Sequence, residues 1–221
     1  MATPKRDTPE MTVWDSSQAA AFLAEADPTD LAALWRVALI CGLRRGELLG
    51  LRWDDLDLDR GTLAVRRTLS RGTGGTWVLG EPKTATGRRS IALPASCVAA
   101  QRKHRAAQNA ERLRLGPLWQ DQGYIFTGAT GQPLHVNSLT TRYAQLIKAA
   151  GVPRIRFHDL RHTCATLLLA QGIHPKVVQE RLGHANISMT LDRYSHVIPG
   201  MQQAAADALD AALAAAHEAA S

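Results

Sequence analysis

Between Trp53 and Pro94 apolar residues recur at every second position, whereas before and after that stretch they recur at helical spacing. A period of two puts alternate side chains on opposite faces of a strand, and spacings of three and four put them along one face of a helix. One short strand-like island in a helical chain allows a single small sheet and leaves the rest to helices. Within the island, "LDLDRGTLAVRRT" alternates around an Asp-Arg-Gly turn and "RRSIALP" reads as a further strand ended by Pro94. The fold class expected is mainly α with a small three-stranded antiparallel β-sheet, an α+β chain. Between the second and third strands lies "RGTGGTWVLGEPKTATG", rich in Gly and Thr and carrying Lys83. It reads as a mobile loop or strand end of the kind that closes over ligands.

The helical segments carry their own start and stop signals. "DSSQAAAFLAEA" offers Ser16 or Ser17 as an N-cap, and "DLAALWRVALICG" is apolar on nearly all faces before Gly42, as a central buried helix would be. Downstream come "ASCVAAQRKHRAAQNAERLRLG", then "NSLTTRYAQLIKAAG" with an Asn cap and a Gly stop, then "FHDLRHTCATLLLAQG" ending at Gly172. Two short helices, "HPKVVQERLG" and "ISMTLDRYS", precede an alanine-rich tail whose Leu209 and Leu213 form a thin apolar stripe. Residues 1–11 are polar and proline-bearing, a disordered lead or linker remnant.

With 221 residues and 45% hydrophobic content, the chain can bury a core as one domain. Its net charge of +6 and pI near 9.6 suit a polyanionic partner without identifying one. Cys41, Cys97 and Cys164 are odd in number, widely spaced and flanked by apolar residues, which disfavours a disulfide framework or a Cys-based zinc site and points to reduced cytosol. The N-terminus lacks an apolar signal core, and no run approaches the ~18 apolar residues of a membrane span. A soluble, cytoplasmic protein with no membrane partner is expected.

"FHDLRHTCATLLLAQG" crowds His158, Asp159, Arg161 and His162 into five residues. His158 and His162, four apart, could share a zinc ion; His158 and Arg161, three apart, could share a phosphate. Zinc leaves the fixed charge of Arg161 repelled beside the ion, and no HExxH glutamate is present. Phosphate accounts for the arginine. Tyr124, in an apolar run, and Tyr143, at helical core spacing, read as packing residues, and the role of His196 stays open.

The blocks "CGLRRGELLGLRWDDL", "EPKTATGRRSIALP", "FHDLRHTCATLLLAQG" and "ERLGHANISMTLDRYSHV" follow one another in the order and spacing of the tyrosine recombinase catalytic domain, the phage integrase family, which the chain resembles over roughly residues 12 to 200. The resemblance implies the tyrosine recombinase catalytic-domain fold. It makes Arg44 the first phosphate-binding arginine, with Glu47 as its supporting acid, and Lys83 the hairpin-loop lysine. His158 and Arg161 form the second block, His184 the third, and Tyr194 is the nucleophile. Asp159 is expected to cap its helix or orient a histidine, and His162 to be a structural partner. From the residues alone, Arg44 could be a solvated basic turn and Glu47 a complement to a helix dipole, and Arg45 and Arg52 read as surface or phosphate-backbone contacts.

These residue types match the chemistry. Attack on a DNA phosphodiester builds negative charge on the non-bridging oxygens, which guanidinium groups meet with paired donors. A tyrosine with an ordinary pKa of about 10 needs a base, and the leaving sugar oxygen needs an acid, for which His158 and Lys83 are suited. The implied function is a site-specific recombinase or integrase acting through a covalent 3′-phosphotyrosine, with neither ATP nor metal as cofactor. Type IB topoisomerase-like relaxation and a catalytically silent DNA-binding module are the alternatives. Implied partners are double-stranded DNA, further copies in a homotetramer on paired sites formed from free monomers, and accessory DNA-bending proteins. The expected division is a lead over 1–11, the catalytic domain over 12–199 and a helical tail over 200–221, docking on a neighbouring protomer or on its own domain. Family members carry an N-terminal helical domain that completes a clamp on DNA, and eleven residues precede the catalytic region here, so weak, salt-sensitive binding is expected.

Overall fold

The computed structural model describes residues 12–72, 76–82, 85–186 and 188, together with 206–207, 209–214 and 217 in the tail. The expectations for residues 1–11, Lys83, the "ISMTLDRYS" helix, Tyr194, His196 and the docking of the tail fall outside the described residues, apart from short helical tail pieces in which Leu209 and Leu213 are exposed.

Two helices, α1 (Ser16–Ala26) and α2 (Ala32–Ile40), lead into a single helical turn, α3 (Arg45–Leu49). The cap of α1 is Asp15 rather than either serine. Its carboxylate accepts the Gln18 N–H at 2.8 Å, while the Gln18 side chain accepts the Asp15 N–H at 3.1 Å. A charged acceptor in a reciprocal capping box outcompetes a lone hydroxyl, and Ser17 donates to Asp15 instead. As the apolar pattern predicts, α2 is the central helix, packed against α1, α4 (Ala95–Leu115) and α6 (Asp159–Ala170).

Strands β1 (Leu56–Asp57), β2 (Thr62–Val65) and β5 (Arg89–Ala92) form the expected antiparallel three-stranded sheet in the order β1-β2-β5, with Leu63 opposite Ile91. The segment read as a mobile loop or strand end holds β4 (Trp77–Gly80), which pairs with β3 (Thr68–Arg71) at its leading edge to make a second sheet. Its pattern is masked because Val78 and Leu79 are both exposed, so strict alternation fails. Tertiary contact supplies what pattern lacks. Leu69 is buried, and β3 lies so close to α3 that a Cβ on Gly46 would sit 2.4 Å from Thr68 Oγ1.

The remaining helices are α5 (Val136–Ala150) and α7 (Pro175–Leu182). The cap of α5 is His135, whose Nδ1 accepts the Asn137 N–H at 3.2 Å, so the expected Asn cap is the second residue of the helix. An aromatic cluster of Trp14, Phe22, Trp35, Tyr143 and Phe157 joins α1, α2, α5 and the approach to α6; Trp35 stacks on Tyr143 at 5.8 Å. Tyr124 and Tyr143 are buried, as packing residues should be, and all three cysteines are free and buried. Among the described residues no helix is long and apolar enough to cross a membrane.

Candidate functional site

Three segments far apart in sequence meet at the N-terminal end of α6: the turn before α3, the start of α6 and the turn after α7. Arg161 draws in the first by donating from Nη1 to the Gly42 carbonyl at 2.8 Å. Arg44 reaches the third, donating from Nη2 to the Gly183 carbonyl at 3.2 Å. Arg44, His158, Arg161 and His184 thereby converge, with Glu47, Asp159 and His162 behind them.

Arg44 is the extended N-cap of α3. Its N–H and Nη1 both donate to Glu47, at 3.0 and 2.7 Å, yet the side chain keeps 39% of its surface exposed. Glu47 is buried and also accepts two bonds from Arg89, at 3.2 and 2.9 Å. Burial by itself would raise the carboxyl pKa, but Arg89 and then Arg44 outweigh it and hold Glu47 below the usual glutamate range. Complementing the helix dipole is therefore the smaller part of its role; a buried carboxylate shared by two guanidiniums fixes Arg44 in place.

On α6, Arg161 and His162 are buried and His158 faces outward. Desolvation by the surrounding protein, followed by the charges of Arg161 and Arg44, lowers the His158 pKa, which favours the neutral imidazole at physiological pH. The His158 and His162 rings meet edge to face at 5.1 Å. Asp159 does not cap the helix. It accepts from the Arg156 backbone at 2.8 Å and from the Arg156 side chain at 3.0 and 2.9 Å, pinning the approach to His158 rather than a first-turn N–H. Among the described residues no group of three or more His, Cys, Asp or Glu is placed to hold a metal ion.

His184 is buried at the end of α7, and its backbone is clamped by the side chain and the carbonyl of Gln179. Its N–H donates to the Gln179 carbonyl at 3.1 Å, and its carbonyl accepts from Gln179 Nε2 at 3.0 Å. Gly183 before it has φ +67°, and a Cβ there would meet the Thr86 carbonyl oxygen at 2.8 Å and Arg89 Cδ at 3.0 Å. Gly183→Ala is expected to lower the melting temperature by about 2–8 °C, from the roughly 1–2 kcal/mol cost of the left-handed conformation, with the clash adding to it. Thermal unfolding followed by circular dichroism checks this.

Arg89 and Gln179 are not among the residues that the sequence motifs single out. The signal was present in the strand period. Arg89 and Ile91 share one face of β5, and Ile91 is buried, so an arginine in that register has to be buried with a partner. Besides Glu47 it donates to the carbonyls of Arg181 at 2.7 Å and Gly87 at 3.0 Å. One side chain thus ties the connection after β4, α3 and the end of α7 together. Arg88, by contrast, points out and pairs with exposed Glu81.

The sequence model of the phage integrase family matches residues 12–200, and the chain belongs to that family. It is 36% identical over 195 residues to a "tyrosine recombinase XerC-like" protein of Caldanaerobacter subterraneus subsp. tengcongensis, covering 81% of this chain and 49% of the relative. The chain thus spans about half the length of the curated relatives it matches. Its fold is similar to that of the Tn1549 transposon integrase solved in complex with transposon right end DNA, with a TM-score of 0.76 and 27% identity over 92% of this chain and 68% of that one. It also resembles the catalytic domain of bacteriophage HP1 integrase, with a TM-score of 0.58, 20% identity, and coverage of 90% and 95%.

Proposed function

We propose that this chain is the catalytic part of a site-specific DNA recombinase or integrase. The observation that carries the reading is the convergence of Arg44, His158, Arg161 and His184 from three segments onto one place, with Arg44 held by the buried Glu47–Arg89 pair. A cationic site of this kind suits a phosphodiester anion, whose charge grows as a nucleophile adds. Relatives named as recombinases and integrases, one solved on DNA, support double-stranded DNA as the partner.

The Tyr194 hydroxyl is assigned as the nucleophile. Its oxygen bonds to the scissile phosphorus while the bond from phosphorus to the 5′ sugar oxygen breaks, leaving a 3′-phosphotyrosine and a 5′-hydroxyl. His158, neutral by virtue of its lowered pKa, takes the tyrosine proton, and Lys83 returns one to the leaving oxygen. Arg44, Arg161 and His184 neutralise the non-bridging oxygens. The ester energy is kept in the adduct, so a 5′-hydroxyl from either strand reverses the step without ATP or a metal. A homotetramer on paired sites, built from free monomers and helped by accessory bending proteins, would exchange the strands.

A nicked duplex that loses its short 5′-hydroxyl fragment after cleavage traps the adduct, which a denaturing gel resolves from free protein. No adduct on any such duplex sinks the proposal. Lys83→Ala is expected to slow cleavage severely on ordinary DNA and far less when the leaving oxygen is sulfur, which departs without a proton donor. Rescue of Arg88→Ala in place of Lys83→Ala would move the acid to Arg88.

A further inference from the structure

Helix α2 ends at Ile40, and the turn from Ile40 to Arg44 carries the first arginine of the site. The last four carbonyls of a helix have no partner within it and lie at the negative end of its dipole. Beyond them, the Gly42 carbonyl is held by Arg161. The Ile40 carbonyl is held from two sides: the Cys164 thiol of α6 donates to it at 3.3 Å, and Arg181 Nη2 of α7 donates to it at 3.2 Å. The same guanidinium donates from Nη1 to the carbonyl of Ala92, the last residue of β5, at 3.1 Å. Half-buried Arg181 thus spans from the end of the central helix to the end of a strand, while its own carbonyl accepts from Arg89 Nε at 2.7 Å. The next residue, Leu182, lies so close to the turn that a Cβ on Gly42, which has φ +62°, would sit 2.5 Å from Leu182 Cδ2. Three successive residues therefore bear on the turn just before His184: Arg181 on Ile40, Leu182 on Gly42 and Gly183 on Arg44.

We propose that Arg181 is a positioning residue, which by bridging Ile40 and Ala92 sets the turn carrying Arg44 against the end of α7 carrying His184. Both of its Nη groups are taken by carbonyls, so it acts through the turn and not on the phosphate. The inference rests on the recombinase reading above. Arg161 is anchored to the turn at Gly42, two residues beyond Ile40, so a turn released at Ile40 displaces the anchor of Arg161 and the root of Arg44 together. Those two guanidiniums have to meet oxygens whose charge grows only as the nucleophile adds, and a displacement is therefore felt more in rate than in affinity. Lysine is no equivalent at this position. An ammonium keeps the charge beside the end of α2 but is a point donor, whereas the planar fork of a guanidinium holds two carbonyls at a fixed separation.

The test uses the full chain and the nicked duplex. Arg181→Met and Arg181→Lys are set against the unaltered protein and against Arg36→Met, a fold control that frees α2 from Asp27 at a place away from the turn. Three quantities are read: the single-turnover rate of adduct formation with the duplex fully bound, the duplex affinity by fluorescence anisotropy, and the melting temperature by circular dichroism. Arg181→Met is expected to slow adduct formation about ten- to a hundredfold, the scale of a misplacement of up to about 1 Å, while leaving the affinity nearly unchanged. Arg181→Lys should recover only part of the rate, and Arg36→Met should lower the melting temperature without slowing the adduct. A sulfur leaving group should not rescue Arg181→Met, because Arg181 supplies position and no proton. If Arg181→Met does not fold, Arg181→Lys carries the test by the same split between rate and affinity. An unaltered rate in a folded variant overturns the proposal, as does full recovery with lysine, which would reduce the effect to charge. So does a loss that only follows the folded fraction, or one in which affinity falls as far as rate. The unaltered protein separates the two ideas. Adduct formation at the same rate with and without Arg181 rejects the positioning role alone, whereas no adduct with the unaltered protein rejects the recombinase reading and this role with it.

Discussion

Tyr194→Phe is expected to abolish the covalent protein–DNA adduct while the duplex is still bound, because the substitution removes only the nucleophilic oxygen. The loss should reach the detection limit of the denaturing gel. The other tyrosines are poor candidates on physical grounds. Tyr143 is buried in the aromatic cluster, and its hydroxyl is pushed well above the ordinary value of 10.0 by burial and by the charge of Asp159. A hydroxyl so placed is neither reachable nor readily ionised. Tyr124 is buried under the guanidinium of Arg52, 5.0 Å from the ring centre. Tyr194 is the remaining tyrosine of the three in the sequence. Adduct formation by Tyr194→Phe, or its loss in Tyr143→Phe, would overturn the assignment.

Arg89→Ala is expected to have the next largest effect, on stability and on cleavage together. Both side chains of the Arg89–Glu47 pair are almost fully buried, at 6% and 3% exposure. Removing Arg89 leaves the buried carboxylate with the part-exposed Arg44 as its remaining charged partner among the described residues, at a cost of about 3 kcal/mol, the low end for a broken buried pair. Arg44 then keeps a carboxylate whose position is no longer fixed, and misplacement by about 1 Å can slow a positioned reaction about a hundredfold. The cleavage defect should not be rescued by a sulfur leaving group, since Arg89 supplies position and no proton. Adding Glu47→Ala to Arg89→Ala should cost much less than the sum of the two single changes, because they break the same contact. Additive losses would mean that Arg89 acts elsewhere.

The same pair sets an acid limit. A carboxyl whose folded pKa lies below its unfolded value contributes stability that is fully present above the unfolded value and is lost as pH falls through the folded one. For Glu47, held below the ordinary 4.5, the contribution is present near neutrality and disappears below about pH 4.5. The difference in melting temperature between the unaltered protein and Glu47→Gln should therefore shrink as the pH is lowered through that range. A difference that stays constant from pH 7 to pH 3 would show that Glu47 is not held as a charged partner.

Local signals in the sequence determined a good deal of this protein. The buried α2, the three strands around Leu63 and Ile91, and the glycine stops at Gly42, Gly151 and Gly172 all follow from period and backbone freedom, which act within a few residues. The residue types at His158 and Arg161 likewise favoured a phosphate over zinc, because guanidinium charge is compatible with one and not the other, whereas Arg44 and His184 were marked by the family resemblance. Helix starts were less legible. Asp15 and His135 win the caps through competition between nearby acceptors, which composition does not rank. The β3–β4 hairpin forms although its outer face is apolar and its alternation broken, because its stability comes from α3 across the chain. Only the tertiary structure decides which charges are buried. Arg88 and Arg89 are chemically identical neighbours, yet strand register turns one to solvent and the other 42 positions back in sequence to Glu47. The approach of Gly183 to Arg44 spans 139 positions, a separation at which no local pattern carries information and packing alone sets the geometry.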